Sequence, residues 1–111
     1  MAKKSSNYIG EFEELVLLAI LSQGDNAYGV PIREALEEAT GRSITIGSLY
    51  TTLSRLEEKG LVRSWFGEPT AERGGRAKKH YQINGSAQLI LKQVQAARLR
   101  LTKAKTLGGL A

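Results

Sequence analysis

Cysteine is absent from the 111 residues, which excludes disulfides, thiolate nucleophiles and cysteine-ligated zinc. His80 is the single histidine, so no histidine cluster can hold a metal and a Ser/His triad has little to draw on. No metal and no cofactor is therefore expected. The longest apolar run, Leu15–Leu21, covers seven residues, far short of the roughly 20 needed to cross a bilayer. Met1–Asn7 is polar and lacks the apolar stretch of a signal peptide. A cytoplasmic protein without membrane association is the expectation. Acidic residues are also missing from one end of the chain, since none follows Glu72.

What is present fits one small domain: 12.1 kDa, 41% hydrophobic and 24% charged. A chain this short buries less of its surface than a larger one, which makes dimerisation an early expectation. The net charge of +5 hides a division. Through Glu72, seven basic residues oppose all eleven acids, a net of −4; from Arg73 onward nine basic residues stand alone, a net of +9. The positive field belongs to the last third of the chain and suits a polyanionic partner.

Hydrophobic spacing predicts four helices and a hairpin. Ile9, Phe12, Leu15, Val16, Ala19 and Ile20 recur at three and four, giving a first helix over 9–23 that Gly24-Asp25-Asn26 stops. A second starts near Gly29, with Pro31 in its first turn, and ends at Gly41. Ile44-Thr45-Ile46 reads as a short strand, and Ser48 as the N-cap of a third helix that runs to Lys59 and closes at Gly60. Leu61–Phe66 and Lys79–Asn84 read as two strands around a polar loop, and a long fourth helix follows from Ser86 to Lys105.

The third helix carries most of the functional argument. At 100° per residue, Leu49, Leu53 and Leu56 share the core side. The opposite face holds Tyr50, Thr51, Ser54 and Arg55, with Ser48 at its start. Hydroxyls, a phenol and a guanidinium can enter a DNA major groove and bond phosphates or base edges. Alone, such a face reads as solvated surface. Here, however, a helix–turn–helix feeds directly into a hairpin, which is the layout of a winged helix. The hairpin tip sets Arg73, Arg76, Lys78 and Lys79 around Gly74-Gly75, where glycines permit close backbone approach and cations meet phosphates. In this reading Thr51, Ser54 and Arg55 face bases, while Tyr50 and the wing cations hold phosphates.

Leu17-Ala19-Ile20-Leu21, Tyr28-Gly29, Gly47-Ser48-Leu49-Tyr50 and the run Leu53-Ser54-Arg55-Leu56-Glu57-Glu58-Lys59-Gly60-Leu61-Val62 resemble the PadR family of bacterial transcriptional regulators. A basic segment ending in tyrosine, Arg76–Tyr81, extends the likeness, which covers about residues 9–90. The resemblance implies a winged-helix fold, a homodimer, and binding to two-fold symmetric promoter DNA, usually as a repressor. It carries Tyr50 and Arg55 over as recognition-helix contacts and Arg73, Arg76, Lys78 and Lys79 as wing contacts. Tyr28-Gly29 falls at the start of the second helix, whose N–H groups can hold a phosphate; Tyr28 can equally pack under the first helix. Two departures stand out: Thr51 replaces the family's proline, and Asn84-Gly85-Ser86 replaces its Thr-x-x-Gly entry to the last helix.

The expected fold class is thus mainly α with a small β-hairpin, a winged helix–turn–helix plus a long C-terminal dimerisation helix. Residues 1–7 form a disordered leader, 8–85 the DNA-binding domain, 86–106 the dimerisation helix and 107–111 a frayed tail. On the last helix Ala87, Ile90, Val94, Ala97, Leu101 and Ala104 follow a heptad seam. Ile9, Phe12 and Val16 of the first helix complete the expected interface, and the acids Glu11, Glu13 and Glu14 are available to a partner's basic last helix. Relatives that bind planar drugs carry tryptophan on the last helix, which here has no aromatic residue. Trp65 reads instead as hairpin core. A small-molecule effector has room in this scheme but no residue identifies one, and nothing points to an enzyme. The rival reading is a protein- or RNA-interaction module that uses the basic last helix and keeps the winged helix as scaffold.

Overall fold

The computed structural model describes residues 9–68 and 77–104. Four helices and one hairpin follow in the order α1 (Glu11–Gln23), a single 3-10 turn (Gly24–Asn26), α2 (Gly29–Thr40), α3 (Ile46–Glu58), β1 (Val62–Phe66), β2 (Lys79–Ile83) and α4 (Gly85–Ala104). The fold is mainly helical with a two-stranded antiparallel hairpin, as the sequence predicts. The expected leader and tail, the loop tip and its Arg73 and Arg76 lie outside the described residues.

Helix α1 begins with three acids in its first turn, where the partial positive charge of the helix N-terminus favours them. The Gly10 N–H donates to Glu13 Oε1 at 2.8 Å and closes that turn. Val16 and Leu17 of α1, Ile32 and Leu36 of α2, and Leu49, Leu53 and Leu56 of α3 meet in one core with essentially no exposure. The turn between α2 and α3 is clamped from α2: Arg33 Nε donates to the Ile44 carbonyl at 2.7 Å, and Glu37 Oε2 accepts from the Ile44 N–H at 2.8 Å. Both bonds hold the angle at which α3 leaves α2.

Ile44–Ile46 is not a strand; Ile44 and Thr45 are irregular and Ile46 opens α3. The segment that lies against β2 is instead Ala27–Tyr28, with Tyr81 N–H donating to the Ala27 carbonyl at 2.8 Å and a bridge between Tyr28 and His80. β-Branched residues favour extended backbone in either setting, so composition misdirects here. The cap of α3 also differs. Thr45, with extended backbone, accepts from the Ser48 N–H at 3.1 Å, and Ser48 sits inside the first turn. The threonine hydroxyl reaches the third helical N–H, as a cap must.

In the hairpin, Val62 pairs with Ile83 and Phe66 with Lys79. Val62, Tyr81 and Ile83 point into the core, and Arg63, Trp65, His80 and Gln82 occupy the outward face. Trp65 is therefore not hairpin core: it is 39% exposed. Asn84 begins α4 by accepting from the Ala87 N–H at 2.9 Å while its amide donates to the Gly60 carbonyl. That double role explains how Asn84-Gly85-Ser86 serves where the family uses another sequence. Ala87 and Leu91 then enter the same core as α1 to α3. No helix among the described residues is long and apolar enough to cross a membrane.

Candidate nucleic-acid interface

Helix α3 has a strongly one-sided pattern. Leu49, Thr52, Leu53 and Leu56 are buried, while Ser48, Tyr50, Thr51, Ser54 and Arg55 are exposed. Ser48 is partly committed to its own backbone, because its hydroxyl donates to the Thr45 carbonyl at 3.1 Å and accepts from the Thr45 hydroxyl at 3.0 Å. Thr51, Ser54 and Arg55 are exposed and carry no side-chain hydrogen bond among the described residues, and the Arg55 charge also acts on Glu13 of α1.

Tyr50 leans toward the N-terminus of α2. A Cβ placed on Gly29 would overlap the Tyr50 hydroxyl, so the phenol lies directly against the α2 backbone. The root of the hairpin closes the same concavity: Tyr28, Gly29, Val30, Tyr50, Ala77, Lys78 and Lys79 line it together. The Lys78 ammonium stands 4.7 Å from the Tyr28 ring centroid, and Lys79 Nζ is 5.9 Å from both the Phe66 and Tyr81 rings. Cation–π contacts of this kind orient the lysines without neutralising them. Helix-terminal N–H groups, a phenol hydroxyl and two ammonium groups form a surface suited to phosphate oxygens.

Of the residues singled out from sequence, Tyr50, Lys78 and Lys79 are brought together, and Thr51, Ser54 and Arg55 continue the exposed face along α3. Arg55 lies five residues beyond Tyr50, about 7.5 Å along the axis. Tyr28 stands at the N-cap position of α2 and meets His80 edge-on, 5.4 Å between centroids. A second feature escaped the sequence reading. Arg63 lies 4.6 Å over Trp65, and Trp65 stacks on His80 at 5.8 Å, a ladder across the outward hairpin face. Its signal was the two-residue period that puts Arg63 and Trp65 on one side.

The expected interface residues divide. Val16 and Ala87 are fully buried within the protomer and have no surface left for a second copy. Ile9, Phe12 and Ile90 pack against the protomer's own core, and Val94 and Ala97 are half-buried. Leu101 is 73% exposed, and nothing is described of the Ala104 side chain. The seam's first half thus faces its own domain, and Leu89, Leu99 and Leu101 are exposed. Glu13 and Glu14, expected to await a partner, are both engaged within the chain.

Tyr81, beneath the site, is pushed up to about 12 by burial, with Tyr50 and Glu57 adding to the effect. Among the described residues no group of histidine, aspartate and glutamate could hold a metal ion.

The sequence model of the PadR-like family of transcriptional regulators matches residues 17–93. The chain belongs to this family. Solved PadR structures repeat its fold. A PadR-like transcription factor from Bacteroides fragilis is 26% identical, with a TM-score of 0.68 over 90% of this chain and 89% of that one. A PadR family transcriptional regulator from Eggerthella lenta is also 26% identical, with a TM-score of 0.64 over 90% and 85%. At 24% identity, a PadR family transcription regulator from Clostridium difficile shares the fold with a TM-score of 0.64 over 90% and 99%. No curated protein matches the chain. The family is one of winged-helix transcriptional regulators, and this chain has that fold.

Proposed function

We propose that this PadR-family chain acts in the cytoplasm as a homodimeric repressor that binds a two-fold symmetric promoter site. The observation that carries the reading is the convergence of Tyr50, the α2 N-terminus at Gly29, and Lys78 and Lys79 beside the exposed polar face of α3. Helix α3 enters the major groove, Thr51, Ser54 and Arg55 meet base edges, and Tyr50 with the wing lysines holds the flanking phosphates. Arg73 and Arg76 extend the wing contact from outside the described residues. The exposed apolar residues Leu89, Leu99 and Leu101 of α4 supply the second-copy contact. Residues 8–85 act as the DNA-binding part and 86–106 as the dimerisation helix, sharing a core over the first turns of α4.

Selection from random duplexes, followed by titration at several salt concentrations, tests this. The expected result is one enriched palindromic site whose affinity falls steeply with salt. Absence of duplex binding even at low salt would sink the proposal. The rival reading, in which α4 binds an acidic protein or RNA, draws on Lys92, Arg100 and Lys103, which have no ion pair among the described residues. It predicts RNA or acidic-protein binding without a duplex footprint.

A further inference from the structure

Glu13 and Glu14 are consecutive on α1, about 100° apart around the helix, and each faces a different element. Glu13 meets Lys59 at the end of α3, with Nζ at 2.8 and 3.0 Å from its two oxygens. Glu14 meets Arg98 of α4 at 2.7 Å. The two carboxylate side chains keep only 10% and 9% of their exposure. A carboxylate so shielded depends on its partner, since removing one member of such a pair strands a charge.

Helix α4 is anchored unevenly. Ala87 and Leu91 sit in the core, Val94 and Ala97 are half-buried, and Leu99 and Leu101 are exposed. Among the described residues, Arg98 makes the last polar tie from α4 to another element. From Leu91 to Ala104 the helix runs about 20 Å at 1.5 Å per residue. A 10° swing about Leu91 would therefore move its end by about 3.5 Å, close to the 3.4 Å rise of one base pair.

We infer that the Glu14–Arg98 pair is a latch that fixes the angle of α4 to the winged-helix body and, in the dimer, the spacing of the two half-sites that the recognition helices reach. The latch stands on the ion pair and the burial gradient along α4; its effect on spacing rests on the dimeric DNA-binding reading above. Arg98 is a positioning residue that acts through Glu14 and sets which operator geometry fits.

The absence of cysteine makes the test direct. Spin labels on Glu38→Cys and Lys103→Cys, in dimers diluted with unlabelled chain, report the distance between α2 and the end of α4 within one protomer. The unmodified pair should give one narrow distribution, Arg98→Ala and Glu14→Gln one at least twice as wide, and Arg98→Lys the narrow one again. A distribution in Arg98→Ala as narrow as in the parent overturns the latch. In parallel, duplexes whose half-site spacing varies by single base pairs should be bound by the parent at one preferred spacing and by Arg98→Ala at two or more with similar affinity. An unchanged preference overturns the spacing role. If the parent binds no duplex, the DNA-binding reading fails, and the label distances still decide the latch.

Discussion

The hydroxyl of Tyr50 on α3 occupies the space that a side chain on Gly29 of α2 would need. The glycine has an ordinary backbone conformation, with no positive φ, so closeness and not φ is what requires glycine there. Through this contact the N-terminal half of α3 and the N-terminus of α2 present their donors to one place.

Gly29→Ala should therefore leave the fold intact but turn the phenol away, because Tyr50 is 40% exposed and free to swing outward. The stability cost should stay near ~1 kcal/mol, the low end for an added methyl group, while duplex affinity falls roughly tenfold, or about 1.4 kcal/mol. Tyr50→Phe should lose affinity as well, and the double variant should lose less than the two single losses combined. Additive losses in duplex titration would show that the two residues do not act together.

Arg55→Ala should relax discrimination at one base pair by about 1–3 kcal/mol without changing non-specific binding. Lys79→Ala should weaken binding to all sequences alike and reduce the salt slope by about 0.9. Selection from random duplexes distinguishes the two patterns, and equal effects of both variants on every sequence would contradict a base-reading Arg55.

Acid should loosen the α1–α3 junction. Burial raises the Glu13 pKa and is the largest single influence, but Lys59, the Gly10 N–H and the Arg55 charge together outweigh it and leave the pKa below the ordinary 4.5. A carboxyl with a lowered folded pKa stabilises the fold above its unfolded value and loses that contribution as pH falls through the folded one. Urea unfolding should show the parent more stable than Glu13→Gln by about 1–3 kcal/mol at neutral pH. The gap should close below about pH 4.5.

Alkaline titration should find Tyr81 ionising late. Tyr81 carries a pKa of about 12, raised from 10.0 chiefly by burial. With the neutral phenol favoured in the fold, its contribution is complete below pH 10 and is lost as pH rises from there toward 12. Absorbance at the tyrosinate band checks the order, and Tyr81→Phe should remove the late step.

Leu99→Glu should dissociate the proposed dimer without unfolding the protomer, since Leu99 is 59% exposed. A monomer by light scattering with an unchanged helical signal is the expected outcome; a dimer as tight as the parent's would move the interface elsewhere on the chain.

Sequence alone determined the four helices, the hairpin and the polarity of α3, because helical and strand periods are local properties. Leu49, Leu53 and Leu56 could share a face only by burying it, and Gly41 and Gly60, both with positive φ, mark the ends of α2 and α3 as expected. The tertiary structure decided what each face meets. A seam from Ala87 to Val94 has the same period whether it packs on its own body or on a second copy, and the core formed by α1 to α3 takes Ala87 and Leu91 first. Period two put Arg63 and Trp65 on one side of β1 but could not say that this side faces solvent. Either Thr45 or Ser48 has the chemistry of a cap, and only the turn clamped by Arg33 and Glu37 settles it on Thr45. The contacts that define the site and its support, Gly29 with Tyr50, Glu13 with Lys59 and Glu14 with Arg98, join residues far apart in the chain. No local pattern encodes such pairs, because they exist only once packing of the apolar faces has fixed where each helix lies.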